Sequence, residues 1–248
     1  MKISVITVVF NNVSTIGKAL ASVKNQTHQN IEHIVIDGGS TDGTLDVIEQ
    51  YSANITKFVS EPDHGIYDAM NKGLSLATGD LVCFLNSDDM YVDSHVLERA
   101  SRIIEQDSLD AIFADVTYFR ADNPEKILRR YSSSRFSPEK IAYGWMPAHP
   151  TLLMRKAVFD RVGGFKSSYR IGGDFEFIAR AFGKGELKYR YLPEVLVKMQ
   201  MGGASTSGIR STIKSNQEVM RACRENGIKT NYFKILSKYP FKVLEFFK

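Results

Sequence analysis

Two stretches of this chain are apolar almost without interruption. Lys2–Phe10 reads KISVITVVF and Leu81–Leu85 reads LVCFL. A strand with one wet face alternates apolar with polar residues, so unbroken runs of this kind mark strands covered on both faces. β-branched residues dominate the first run, as a packed, pleated surface favours. Ile31–Ile36 reads as another buried strand and Lys57–Ser60 as a short one. Strands buried on both faces belong to parallel sheets, whose connections are crossovers, usually helices. Helical segments do lie between them: one from an N-cap at Ser14 to about Gln26, one over 44–52, and one over Ile66–Ala77. The last places Ile66, Ala69, Met70, Gly73 and Leu74 on one face. Through residue 90 the alternation predicts a doubly wound α/β sheet with right-handed crossovers.

In such sheets ligands sit outside the carboxyl ends of the strands. Three acid-bearing loops fall at that edge. Asp37–Thr44 (DGGSTDGT) carries three glycines, two acids and three hydroxyls, so its backbone can approach a ligand closely. Glu61-Pro62-Asp63-His64-Gly65 is a turn. Asn86-Ser87-Asp88-Asp89 follows the central strand directly and holds two adjacent carboxylates, each disfavouring ionisation of the other. A bound divalent cation removes that repulsion and takes oxygen ligands of this type. The competing reading is a polar turn that caps the next helix.

The second half is less regular. Ser94–Gln106 reads as a helix, Ala111–Phe119 as a strand, and Lys126–Arg130 as its hairpin partner. Residues 131–151, with three prolines and Gly144, read as a substrate-facing loop region. A short strand over Thr151–Met154 and a helix over Lys156–Val162, ended by Gly163-Gly164, come next. A helix over Phe175–Phe182 has Asp174 at its N-cap position. Leu187–Lys198 reads as a hairpin, Gly202–Gly208 as a flexible loop whose start, Met201-Gly202-Gly203, reads as a lid from its glycines, and Ile209–Asn226 as a helix.

The length suits one large domain with a tail. No apolar run approaches a membrane span and the N-terminus enters a strand without a signal-peptide pattern, so a cytoplasmic protein is expected. Two cysteines, Cys83 and Cys223, form neither a disulfide framework nor a metal-binding spacing. The net charge of +4 resides in residues 229–248, which hold five lysines against Glu245. The body is neutral, and no nucleic-acid partner is expected. In the tail, Phe233, Leu236, Val243, Leu244 and Phe247 form an apolar stripe beside Lys234, Lys238 and Lys242, with Pro240 kinking any helix. Such a segment can lie on an anionic membrane surface; packing on the body or a homodimer contact are the alternatives.

Five ordered motifs, SVITVVFN, IDGGSTDGT, SEPDHGIYDAMNKG, GDLVCFLNSDD and GGF followed by GGDFEF, together resemble glycosyltransferase family 2 with the GT-A fold. The resemblance spans roughly residues 1–200 and is greatest to bacterial enzymes of O-antigen, colanic-acid and related polysaccharide synthesis. It implies a GT-A catalytic domain over 1–205, with a nucleotide-binding half (1–90) and an acceptor half (91–205), followed by a helical segment over 206–248. The implied reaction moves a sugar from a UDP-sugar, with inversion, to a polyprenyl-diphosphate-linked saccharide at the cytoplasmic face of the inner membrane. Val8, Phe10, Asp37, Gly38, Asp63, Asn71, Lys72, Asn86 and Ser87 would contact the donor, with Asp37 on the base. Asp88 resembles the metal-ligating acid for Mn²⁺ or Mg²⁺, with Asp89 as a neighbour that shapes it. Asp174 resembles the general base. Three positions depart from the family pattern: Gly38 stands where a second acid is common, Asn86 where the first acid of Asp-x-Asp stands, and Gly173 where Glu precedes the base.

The chemistry matches that kit. A sugar hydroxyl is a poor nucleophile and needs a carboxylate to take its proton; a departing diphosphate gains charge that a cation stabilises. Structural roles compete at each position: Asp174 as a cap, Asp37 as a turn residue, Asp42 as a cap, Lys72 as a solvated helix lysine and His149 as a packed loop histidine. Glu176 is a rival base whose spacing turns it away around the helix. A nicotinamide-dependent dehydrogenase would need a Gly-rich fingerprint after the first strand, and VVFNNVSTIG has none. A sugar-nucleotide pyrophosphorylase would show a Gly-rich basic loop near the N-terminus. A glycoside hydrolase uses two facing carboxylates without a metal cluster. A catalytically inactive nucleotide-sugar-binding protein is the non-enzyme alternative, motivated by Asn86 and Gly173.

Overall fold

The computed structural model describes residues 1–121, 123–201 and 209–244. Strands β1 (Ile3–Val9), β2 (Ile31–Asp37), β3 (Lys57–Ser60) and β4 (Leu81–Phe84) are parallel neighbours in the order β3-β2-β1-β4. Every residue of β1 and β4 is buried, as their apolar runs require. One face packs Val9 and Val35 under α1 (Ile16–Lys24) and α2 (Thr44–Glu49). The other packs Ile6, Ile34 and Ile36 against Ala69 and Met70 of α3 (Ile66–Leu76). A Cβ on Gly73 would lie 2.4 Å from an Ile6 methyl, so α3 rests directly on β1 and only glycine fits the crossing.

Past β4 the sheet becomes mixed. β8 (Leu153–Arg155) joins β4 antiparallel, β6 (Ala111–Arg120) joins β8 antiparallel, and β9 (Tyr189–Gln200) runs parallel to β6. β5 (Asp89–Tyr91) closes the edge antiparallel to β9, and β7 (Asn123–Tyr131) forms the expected hairpin with β6. Helix α4 (Val96–Gln106) buries Val96, Leu97, Ala100 and Ile104 on the face shared by Leu81 and Ile112. Helices α5 (Lys156–Val162), α6 (Gly173–Phe182) and α7 (Ile209–Glu225) lie against the opposite face. Phe113 of β6 meets Phe182 of α6 at 6.4 Å and Phe136 at 5.3 Å, both edge-on. Such pairs add about 0.5–1.5 kcal/mol beyond burial and hold α6 over the sheet.

Several sequence expectations need correcting. Leu187–Lys198 is not a hairpin. Two extra residues of β9 loop out between the pairs Phe113↔Tyr191 and Asp115↔Val195, and Pro193 falls in that bulge, where no ladder donor is needed. Asp89 does not belong to a solvated turn; it begins β5 and is buried. Thr15, not Ser14, is the N-cap residue of α1, and its hydroxyl donates to the Ser87 carbonyl. Gly172 is the N-cap of α6, so Asp174 lies inside the first turn. The helix expected over 44–52 ends at Glu49, followed by a 3-10 turn over Ser52–Asn54. Cys83 and Cys223 are free and buried, which pushes their thiols up to about 12 and about 11.

The tail consists of α8 (Tyr232–Leu236) and α9 (Tyr239–Leu244), with Pro240 in the first turn of α9. Ile235 is buried in the main core, and Lys238 is buried with its ammonium donating to the Gly144 carbonyl. Gly202–Gly208 and Phe247 lie outside the described residues. No helix among them is long and apolar enough to cross a membrane.

Candidate active site

A cavity of about 450 Å³ opens at the carboxyl edge of the parallel strands, a volume within the range of small-ligand sites. One wall comes from the end of β1 (Val8, Val9, Phe10), the 61–65 turn (Asp63, Gly65) and the start of α3 (Ile66, Tyr67). Asn86, Ser87 and Asp88 form the floor after β4. The far wall is built by Tyr118, His149, Met199, Gln200 and the segment Arg170–Asp174. Phe10 is 61% exposed within this setting.

Seven of the site residues expected from the sequence are therefore brought together around one cavity by the fold, namely Val8, Phe10, Asp63, Asn86, Ser87, Asp88 and Asp174. Asp37, Gly38, Asn71 and Lys72 do not line it. Asp37 is fully buried and accepts from the Gly39 and Ser40 backbone N–H groups and from the Ser60 hydroxyl at 2.7 Å, so it shapes the 37–44 loop. Gly39 and Gly43 in that loop have φ of +86° and +93°, the left-handed region that glycine enters freely. The Asn71 amide is committed in both directions to the Phe165 backbone. Lys72 pairs with Glu61 at 2.9 Å and donates to the Pro62 carbonyl. Asp42 accepts from the Thr44 and Val13 backbone and acts as a loop cap. Glu176 is buried between Arg180 and Lys166, at 2.8 and 2.9 Å.

Two departures from the family pattern have packing reasons. A Cβ on Gly38 would lie 2.5 Å from the Asp63 carboxylate and 3.3 Å from the Phe10 ring. Asp63 thus fills the space a side chain at 38 would take. A Cβ on Gly173 would lie within 2.6–2.8 Å of the Tyr67 ring, whose hydroxyl donates to the Ile171 carbonyl at 2.7 Å.

His149 carries more of the site than its sequence context suggested. Its Nε2 accepts from the Asn86 amide at 3.4 Å, and its Nδ1 lies 3.4 Å from the Asp174 carboxylate. The same carboxylate accepts from the Phe175 N–H at 2.7 Å. Burial raises the Asp88 carboxyl above its ordinary range, with His149 opposing the shift. Asp89 is raised well above it, by burial first and by the Asp88 charge second.

The residues at the β4 end suit a hard dication. Among the described residues the buried Asn86 carbonyl oxygen and both Asp89 oxygens have no hydrogen-bond partner, and Asp88 lines the cavity at a burial cost that a cation would offset. Among the described residues no three His, Cys, Asp or Glu side chains gather as a metal cage. A cation held by Asp88 would draw its remaining ligands from substrate phosphate and water, as Mg²⁺ commonly does.

Residues 4–163 match the family model described as Glycosyl transferase family 2. The chain belongs to glycosyltransferase family 2. It is 30% identical over 209 residues to a PGL/p-HBAD biosynthesis glycosyltransferase of Mycobacterium bovis, covering 82% of this chain and 79% of that one. It is 33% identical to an uncharacterized glycosyltransferase of Mycobacterium tuberculosis over 72% of this chain and 68% of the relative. Among solved structures it is similar to S. aureus TarS 1–349 in complex with UDP-GlcNAc, with a TM-score of 0.73 at 22% identity, covering 91% and 66% of the two chains. It spans 38% of a longer TarS chain. The mannosyltransferase PcManGT of Pyrobaculum calidifontis, in complex with GDP-Man and Mn²⁺, gives a TM-score of 0.67 at 17% identity, covering 90% and 63%. The family 2 enzyme described here therefore has the GT-A fold, a mixed sheet flanked by helices.

Proposed function

We propose that this glycosyltransferase transfers a sugar, with inversion, from a UDP-sugar to a hydroxyl of a lipid-diphosphate-linked saccharide, in O-antigen or exopolysaccharide synthesis. The observation that carries the reading is one cavity in which Asp88 and Asp174 share a wall system, with His149 between Asn86 and Asp174. Residues 1–90 hold the nucleotide and 91–205 the acceptor. The acceptor oxygen bonds to the anomeric carbon on the face opposite the diphosphate, the bond from that carbon to the diphosphate oxygen breaks, and the hydroxyl proton passes to Asp174. Tyr67 and the backbone around it keep Asp174 in place, and Phe10 offers the base a flat apolar contact. Mn²⁺ or Mg²⁺ bound at Asp88 would supply charge neutralisation for the leaving UDP. The UDP-GlcNAc bound by TarS and the Mn²⁺ bound by PcManGT support the choice of donor and metal.

The lipid acceptor calls for a membrane-facing surface. Lys229 is exposed and Lys234 half-buried, and Tyr232, Phe233, Leu236 and Phe241 are 52, 88, 47 and 44% exposed. Basic charge beside exposed aromatic rings supports peripheral binding to the inner membrane.

UDP release would be measured from a panel of UDP-sugars, with Mn²⁺ or EDTA, and with a short lipid-diphosphate sugar acceptor. Metal-dependent turnover of one donor, reduced about 10²–10⁴-fold in Asp174→Asn, is expected. Full activity in Asp174→Asn would overturn the base assignment. UDP binding without turnover of any donor would favour an inactive binder.

A further inference from the structure

Arg170 is the one arginine or lysine among the residues lining the cavity; the carboxylates there are Asp63, Asp88 and Asp174. Its side chain is exposed, and its guanidinium forms no hydrogen bond or ion pair with a described residue. Two of the three carboxylates have other contacts: Asp63 accepts from the Gly65 N–H, and Asp174 accepts from Phe175 and faces His149.

The chain around Arg170 is held from two sides. Glu218 of α7, 4% exposed, accepts from the backbone N–H groups of Arg170, Ile171 and Gly172 at 3.1, 2.9 and 2.7 Å. Tyr67 donates to the Ile171 carbonyl from α3. A Cβ on Gly172 would stand 3.1 Å from the Glu218 Cβ, so the two segments are in close contact. The Glu218 charge is taken up by three N–H groups and leaves the guanidinium unneutralised. The segment 170–174 is thus pinned, with Arg170 and Asp174 both lining the cavity from one short stretch.

A permanently charged, planar donor fork left unpaired in an otherwise acidic cavity suits a planar or tetrahedral oxyanion carried in by a substrate. We propose that Arg170 is a specificity-determining contact for a phosphate-type oxyanion on the Asp174 side of the cavity, rigidly presented by Glu218. The inference rests on the transferase reading for its two sources of such an anion: a phosphate borne by the acceptor, or the diphosphate of the donor.

The test compares the full-length wild type with Arg170→Gln and Arg170→Lys, which alter an exposed side chain and are expected to melt with the wild type. Inorganic pyrophosphate is titrated with EDTA present, so that no metal site contributes. At least a fivefold weaker affinity in Arg170→Gln, partly restored in Arg170→Lys, supports the contact; equal affinity in wild type and Arg170→Gln overturns it. UDP with Mn²⁺ then sorts the source. A matching loss identifies the donor diphosphate. Unchanged UDP affinity, with a raised KM for a phosphorylated acceptor but not for the same saccharide without phosphate, identifies the acceptor. If pyrophosphate binding depends on Arg170 while no donor is ever turned over, the anion contact stands and the transferase reading falls.

Discussion

The Nδ1 atom of His149 lies 3.4 Å from a carboxylate oxygen of Asp174, while the opposite ring nitrogen takes a hydrogen bond from Asn86. With Nε2 accepting, the neutral ring carries its proton on Nδ1, the nitrogen that faces Asp174. His149 thereby links the floor of the cavity to the proposed base. Contacts of this length commonly tighten when substrate binds.

His149→Phe keeps a ring that fits between Phe84, Leu152 and Phe177 but removes both nitrogens. Should the 3.4 Å approach to Asp174 tighten into a charge-assisted hydrogen bond in the substrate complex, its loss, about 1.5–3 kcal/mol, corresponds to a fall of roughly 10- to 100-fold in kcat. UDP affinity should change little. Steady-state kinetics with a binding titration would check this, and an unchanged kcat would remove His149 from the mechanism.

The parallel half of the sheet was legible because strands covered on both faces are nearly continuous apolar runs, as β4 is and as β1 is apart from Ser4 and Thr7. The far side was not. β5 is three residues long and starts with a buried carboxylate, and β9 hides its continuity behind the bulge at Pro193. Asp88 and Asp174 were visible as motif positions. His149 read from the sequence as a packed loop histidine ahead of a contact to the donor diphosphate or acceptor, because its partners are remote in sequence, 63 residues away in the case of Asn86, and meet only in the folded chain. Glu218 left no signal at all: its partners are backbone N–H groups, which every segment possesses.

Gly38 and Asp63 compete for one space, which gives a coupled pair of mutations. Gly38→Ala forces the Asp63 carboxylate aside, since its Cβ would stand 2.5 Å from it. UDP affinity should fall about tenfold in Gly38→Ala, equivalent to roughly 1.4 kcal/mol. The same loss is expected in Asp63→Ala, with little more in the double variant, because contacting residues are non-additive. Calorimetric titration of the four proteins decides it; fully additive losses would show that the two sites act separately.

Acid sensitivity should originate in β2. Burial opposes the charge on Glu32, yet hydrogen bonds from Lys2, Thr78 and Ser4 hold its carboxyl at about 2. Burial alone pushes neighbouring His33 down to about 4. Both groups bind more protons in the unfolded chain than in the native one as pH falls: His33 between about 6.5 and 4, Glu32 between about 4.5 and 2. Stability therefore rises with pH across both windows, each group contributing on the order of 3 kcal/mol. Urea unfolding between pH 7 and 3 should show the loss in two overlapping stages. His33→Gln should flatten the first stage, and an unaltered profile in that variant would move the acid-sensitive group elsewhere.

The tail offers a separable test of membrane binding. Ile235 and Lys238 are buried against the body, so they anchor α8 and are unavailable to lipid. Phe233, 88% exposed, points the other way, and the Lys234 ammonium lies 5.4 Å from the Tyr143 ring, beside Lys140. Each lysine near an anionic surface contributes about 1 kcal/mol and a buried Phe side chain about 1.5–3 kcal/mol. Phe233→Ser should therefore weaken co-sedimentation with phosphatidylglycerol-containing vesicles at least tenfold, and Lys234→Ser about fivefold. Raising the salt should reduce wild-type binding, because the lysine contribution is screened. Turnover of a water-soluble acceptor should be unaffected by either change, since neither side chain lines the cavity. Sedimentation that is the same with neutral vesicles, or unchanged in Phe233→Ser, would assign this surface to a protein partner or a second copy of the chain.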